Sequence, residues 1–221
     1  MNVRPLIFAI AALAATSAFA DPLKFTVRVK GEKVGTFVDE ITGDDSSGYL
    51  DDSTLTMKVG GNSTTIHEIE HYGKDGIDTS KTIEATQEGH TAKIKAVLGD
   101  DGAHLSIWID DNKEEKDVPL SGKTSRADAT NFWWKKAPPK EGDSVTYQSF
   151  EMDDLKWTDV TLKYVGKAKI KIGDKEIEAN EVDRTEGDET SKIYVDDKGD
   201  PLLLELPMEE GVVMRIERDI D

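Results

Sequence analysis

The chain has 221 residues, no cysteine, and a formal net charge of −17 with a third of its residues charged. The missing cysteines exclude disulfide stabilisation and a lipid anchor on cysteine, so stability rests on burial and strand pairing. A surface this acidic repels phosphate backbones and anionic membranes, which argues against a nucleic-acid partner or peripheral membrane binding.

Residues 1–20 have the three-part layout of a secretory signal peptide. Arg4 supplies the positive end, an apolar run follows over Leu6–Ala15, and Ala18-Phe19-Ala20 forms an A-x-A cleavage site. The run is shorter than the ~20 apolar residues of a bilayer span. Cleavage after Ala20 is expected, giving a mature chain that begins at Asp21, lies in the periplasm or outside the cell, and has no integral membrane segment.

Period-two alternation takes over after Pro22. Leu23, Phe25, Val27 and Val29 share one face and Lys24, Thr26, Arg28 and Lys30 the other. Gly31-Glu32 turns the chain into Val34–Ile41. A polar loop over 43–48 leads to Tyr49–Val59, and Gly60-Gly61-Asn62 leads to Thr64–Tyr72. Ala92, Ile94, Ala96 and Leu98 alternate with lysines, Gly99-Asp100-Asp101-Gly102 marks a hairpin turn, and Leu105, Ile107 and Ile109 resume the inward face. Asp110–Asp117 reads as a charged loop.

The segment 121–142 breaks the pattern. Ser125 is placed to cap a short helix over Ser125–Lys136. Phe132, Trp133 and Trp134 cluster there, and Pro138-Pro139 ends the helix. Strand grammar then returns with Val145–Glu151, Val160–Tyr164, Ala168–Ile172, Glu176–Asp183, Ile193–Val195, Leu202–Leu206 and Val212–Ile216. The expectation is an all-β protein of antiparallel sheets built from hairpins and meanders, a curved sheet or open barrel, with one short connector helix. Its units are a β unit over 21–120, the connector 121–142 and a second β unit over 143–221, the two β units being separate or one domain.

One stretch invites a catalytic reading. His67-Glu68-Ile69-Glu70-His71 matches H-E-x-x-H, in which two histidines bind zinc and the glutamate is the general base. That geometry needs a helix. On a strand the histidines lie about 13 Å apart at ~3.3 Å per residue, too far to share one zinc. Thr64, Thr65 and Ile66 are β-branched, glycines fence both ends, and Lys74 stands where the longer metalloprotease motif has glycine. A solvated strand with two surface histidines is therefore the preferred reading, and a zinc-dependent hydrolase using His67, Glu68 and His71 the alternative. No loop matches a calcium or phosphate motif, and no cofactor is implied. The cluster Phe132, Trp133 and Trp134 is the candidate apolar binding surface, with a hydrophobic plug over the sheet as its competing role.

Gly31-Glu32-Lys33-Val34-Gly35, Pro139-Lys140-Glu141-Gly142-Asp143 and the run from Tyr194 to Leu202, which reads Y-x-D-x-x-G-x-P-L, resemble landmarks of uncharacterised bacterial exported β-rich proteins. Some of these are similar to lipoprotein-carrier-like folds, in which a curved antiparallel sheet holds an apolar ligand. The resemblance implies an exported, non-catalytic β protein that takes a small apolar ligand or a partner protein on a sheet face. It carries over no catalytic residue.

Overall fold

Alternating apolar and polar residues, in runs of six to seventeen bounded by turn chemistry, fold into strands that mostly join as hairpins. The computed structural model describes residues 22–44, 46–110, 112–121, 124–126, 134, 138–208 and 211–220. Its strands are β1 (Leu23–Val29), β2 (Glu32–Asp44), β3 (Gly48–Val59), β4 (Asn62–Tyr72), β5 (Asp78–Gln87), β6 (His90–Gly99), β7 (Gly102–Ile109) and β8 (Asn112–Pro119). The second half supplies β9 (Ser144–Glu151), β10 (Lys156–Ile172), β11 (Lys175–Glu186), β12 (Glu189–Val195), β13 (Pro201–Pro207) and β14 (Val213–Arg218). Several hairpins turn on two residues that both have positive φ, among them Lys30-Gly31 (52° and 83°) and Gly60-Gly61 (62° and 93°). This conformation matches the right-handed twist of the flanking strands.

All fourteen strands form one antiparallel sheet, in the order β8-β7-β6-β5-β4-β3-β2-β1-β14-β13-β12-β11-β10-β9. Each half of the chain is a meander, and the pairing of β1 with β14, with Val27 opposite Ile216, joins the halves at the centre. The sheet is open, because β8 and β9 are its two edges. It nevertheless curls until the edges approach. Trp157 Nε1 of β10 donates to the Val118 carbonyl of β8 at 3.4 Å, and Lys81 Nζ of β5 donates to Ser149 Oγ of β9 at 3.3 Å.

The inner face carries one apolar core drawn from both halves, including Phe25, Val27, Phe37, Leu55, Ile83, Leu105, Phe150, Leu162, Ile193 and Ile216. Phe25 and Phe37 meet at 5.4 Å between ring centroids, and Phe150 meets Trp157 edge-on at 5.2 Å. A register shift between Tyr164 and Gly166 bends β10. Beyond it a smaller cluster of Ile170, Ile172, Tyr194, Leu202 and Leu203 forms.

Three details differ from the sequence expectations. The supposed charged loop over Asp110–Asp117 contains most of strand β8, an edge strand whose charged side chains hide its alternation and discourage pairing with other chains. Strand β5 did not stand out in the sequence at all. The connector helix expected over Ser125–Lys136 lies largely outside the described residues, and essentially no helix occurs among those that are described. At its start Ser125 and Arg126 are not helical, because the Ser125 carbonyl instead accepts the backbone N–H of Gln148 at 2.9 Å. The connector therefore begins by lying along the exposed edge of β9.

Candidate functional site

Register decides which side chains meet on the inner face, since residues paired directly across neighbouring strands lie side by side. Across β2, β3, β4 and β5 one such row is Phe37, Leu55, Ile66 and Ala85. The next is Asp39, Ser53, Glu68 and Ile83, and the one beyond is Ile41, Asp51, Glu70 and Lys81. The inner face thus changes from apolar to acidic within two rows.

The acidic end is crowded. Asp39, Asp51, Glu68, Asp78, Lys81, Glu151 and Arg184 are all buried. Lys81, 8% exposed, is the central cation. Its Nζ lies 3.0 Å from Glu70 Oε1 and 3.8 Å from Asp78 Oδ2. Glu70 also accepts the Tyr72 hydroxyl. From the connector, Arg126 Nη2 donates to the Asp78 carbonyl at 2.6 Å and to Asp78 Oδ1 at 3.2 Å. The same guanidinium stands 5.2 Å from the Trp157 ring centroid, a cation–π distance. Arg184 Nη1 donates to Glu186 Oε2 at 2.5 Å.

The carboxyls associate in three hydrogen-bonded pairs: Asp39 with Asp51, Glu68 with Glu70, and Glu151 with Glu186. Two carboxylates cannot share a hydrogen bond unless one carries a proton, so each pair retains a proton that isolated carboxyls would release. Burial pushes Glu68 well above the usual carboxylate range, and the neighbouring Glu70 adds to the effect. In Glu70 the Lys81 ammonium and the Tyr72 hydroxyl outweigh burial and hold the carboxyl low. Burial, reinforced by the hydrogen bond that protonated Glu151 donates to Glu186, raises Glu151 to about 8. Glu186 is held low, because its bond to Glu151 and the charge of Arg184 overcome burial. Burial raises Asp39 to about 6 and, with the charge of Asp39 beside it, lifts Asp51 well above its ordinary value. Lys81 is raised despite burial, because carboxylates surround it.

The residues singled out in the sequence lie elsewhere or divide between faces. The H-E-x-x-H stretch lies on strand β4, with His67 and His71 on the outer face and Glu68 on the inner face. The His67 side chain is 42% exposed, and its Nε2 lies 2.9 Å from Asp52 Oδ1. Period-two geometry thus separates the two histidines from the glutamate, and no group of three histidine or carboxylate side chains is placed to hold a metal ion among the described residues. Phe132 and Trp133 lie outside the described residues. Trp134 packs partly buried against the core, edge-on to Tyr164 at 5.5 Å. The carboxyl pairs were missed in the sequence. Their signal was the phase of the alternation: once Phe37, Leu55 and Ile66 point inward, so must Asp39, Ser53 and Glu68 two residues away.

A β-barrel-like protein of a domain of unknown function, DUF1849, from Brucella abortus aligns with 95% of this chain and 98% of its own, at a TM-score of 0.60 and 10% identity. The two share a fold. A DUF1089 family protein from Pseudomonas aeruginosa aligns over 75% of this chain and 87% of its own, at a TM-score of 0.40 and 13% identity. The likeness to the DUF1849 protein, at this identity, extends to architecture alone. No family model and no curated protein matches the chain.

Proposed function

We propose that the chain is an exported, non-catalytic binding protein that holds its ligand at the acidic end of the sheet interior. One observation carries this reading: three carboxyl pairs lie on the inner face, with Asp39, Asp51, Glu68 and Glu151 buried, where an ordinary core would hold apolar side chains. Burying charge costs several kcal/mol per ion unless partners repay it, and perturbed ionisable groups cluster at functional sites. The apolar rows are filled by the protein's own side chains, so an apolar ligand finds less to bind there than a polar one does at the acidic end. The histidines, the usual acid–base groups near neutral pH, offer no support for hydrolysis, since His67 is half exposed on the outer face and His71, His90 and His104 are exposed. The signal-like leader supports export.

The test is native mass spectrometry and thermal melting of the protein recovered from a cell-envelope fraction. Processing after Ala20 gives Asp21 as the first residue. A co-purifying mass, or a melting shift with members of a panel of amines, sugars and fatty acids, is expected in the parent. The shift disappears when Glu68→Gln and Glu151→Gln are combined. If no compound shifts the parent and the double variant only melts higher, the cluster is structural and the binding role is wrong.

A further inference from the structure

One arm of the sheet folds back over its own outer face. Beyond the register shift at Gly166, whose φ of 133° favours glycine, the far ends of β10 and β11 cross the outer side of β13 and β14. There Ile170 and Ile172 pack with Tyr194 and Leu203, and the Lys171 carbonyl accepts Arg215 Nη2 at 2.9 Å. The tip of the arm, Gly173-Asp174-Lys175, borders an open cavity of about 420 Å³ whose other walls include Thr26 and Arg28 of β1, Glu217 of β14 and Ile220. Sites for small molecules occupy ~300–1,000 Å³.

The cavity has a prepared cation on one wall and an uncommitted anion on another. Glu217 is 5% exposed. It accepts Arg28 Nε at 3.2 Å, and its other oxygen lies 3.5 Å from Arg215 Nη1. Arg28 Nη1 donates to the Gly31 carbonyl at 3.3 Å. The guanidinium is thus held at two of its nitrogens, while Nη2 has no protein partner among the described residues. At the arm's tip Asp174 makes no hydrogen bond or ion pair among the described residues. Asp219, also in the lining, accepts the Thr26 hydroxyl at 2.9 Å through Oδ1. With Arg218 and Lys175, the lining sets three cations against three carboxylates in a chain of net charge −17.

We infer that this cavity binds a small zwitterion of the amino-acid kind, its carboxylate on Arg28 and its ammonium on Asp174 and Asp219. A guanidinium already fixed by a buried carboxylate loses little freedom on binding, and its planar fork matches a carboxylate. Asp174 and Asp219 repel a ligand that is only anionic, and Arg28 repels one that is only cationic. A molecule with both charges engages both walls. The site lies on the outer face, away from the acidic end, and does not depend on the role proposed there.

The experiment is calorimetric titration of residues 21–221 at pH 7 with glutamine and glycylglycine as zwitterions, acetate and methylammonium as the two half-ligands, and sulfate as a bare anion. The expected result is binding of at least one zwitterion, with every other probe about tenfold weaker or more. Asp174→Asn alters an exposed turn residue, so the variant should melt like the parent, and it lowers the affinity about tenfold or more, the loss of one charge-assisted hydrogen bond. Arg28→Lys keeps the charge but removes the guanidinium fork, and it lowers the affinity to a similar extent. If Arg28→Lys misfolds, Asp174→Asn alone decides. A zwitterion bound equally well by folded Asp174→Asn binds elsewhere, and the inference is then wrong. Sulfate or acetate bound as tightly as the zwitterions makes the cavity an anion site and overturns the inference too. So does the absence of binding by both zwitterions, whatever the acidic end binds.

Discussion

Replacing Lys81 by methionine removes an ammonium from the middle of the acidic end while keeping most of the apolar stem. Three partners lose it: Glu70 at 3.0 Å, Asp78 at 3.8 Å and Ser149 at 3.3 Å. Asp78 keeps Arg126, but Glu70 is left with the Tyr72 hydroxyl and Glu68 in an interior that water does not readily reach. Removing one partner of a buried ion pair typically costs ~3–5 kcal/mol. For a domain of this size each kcal/mol moves the melting temperature by ~2–4 °C, so a fall of about 6–20 °C is expected. The loss depends on pH. In the parent, Glu70 is held below its ordinary value by Lys81, so its contribution is present above the unfolded carboxyl range and fades as pH falls through the folded value. Without Lys81, burial raises Glu70 and the buried group takes up a proton instead. The deficit of Lys81→Met is therefore greatest near pH 7 and smaller near pH 4. Adding Glu70→Gln should restore much of the stability. Urea unfolding of the parent, both single variants and the double variant at the two pH values measures all of this. A Lys81→Met protein within about 0.5 kcal/mol of the parent at pH 7 would show that the cluster is open to water and that the electrostatic reasoning is wrong.

Two further outcomes follow from the same geometry. Glu151 titrates near 8 in the fold against 4.5 as its ordinary value. The folded state thus binds more protons than the unfolded state between those values, and this group's contribution falls as pH rises across that window. Glu151→Gln should flatten that slope, seen as urea midpoints that differ less between pH 5 and pH 8 than the parent's do; an unchanged slope would place the titration elsewhere. His67→Ala, on the outer face of β4, should change stability by no more than about 0.5 kcal/mol, as for most surface substitutions. Stoichiometric zinc in the parent that is absent from this variant would contradict the strand geometry of the H-E-x-x-H stretch.

The sheet was legible in the sequence because its signals are local. Leu23, Phe25 and Val27 alternate cleanly, and glycine pairs such as Gly60-Gly61 mark the hairpins. Strand β8 was not legible, because both its faces are charged and alternation then has nothing to separate. The candidate site was hidden for a related reason. In β4 the isoleucines stand three apart, at Ile66 and Ile69, so one faces inward and the other outward. Glu68 and Glu70 read as a solvated face until the neighbouring strands fix the phase. Lys81 lay on β5, a strand rich in threonine and charge. What brings Glu151 and Glu186 near Lys81 is the curl of the whole sheet, and no window of sequence contains it.

The place where β1 meets β14 bears on how the molecule is made. Each half can form from neighbouring hairpins as it emerges, since every contact within a meander spans a short stretch of chain. The central seam cannot, because Phe25 waits for Arg218, near the other end of the chain. Closing so long a loop is slow, and the rate of folding falls as such distant pairings dominate. A chain leaving the ribosome can therefore build its two half-sheets before the seam that covers their inner faces closes. Its charged interior becomes an interior only when the last strand arrives.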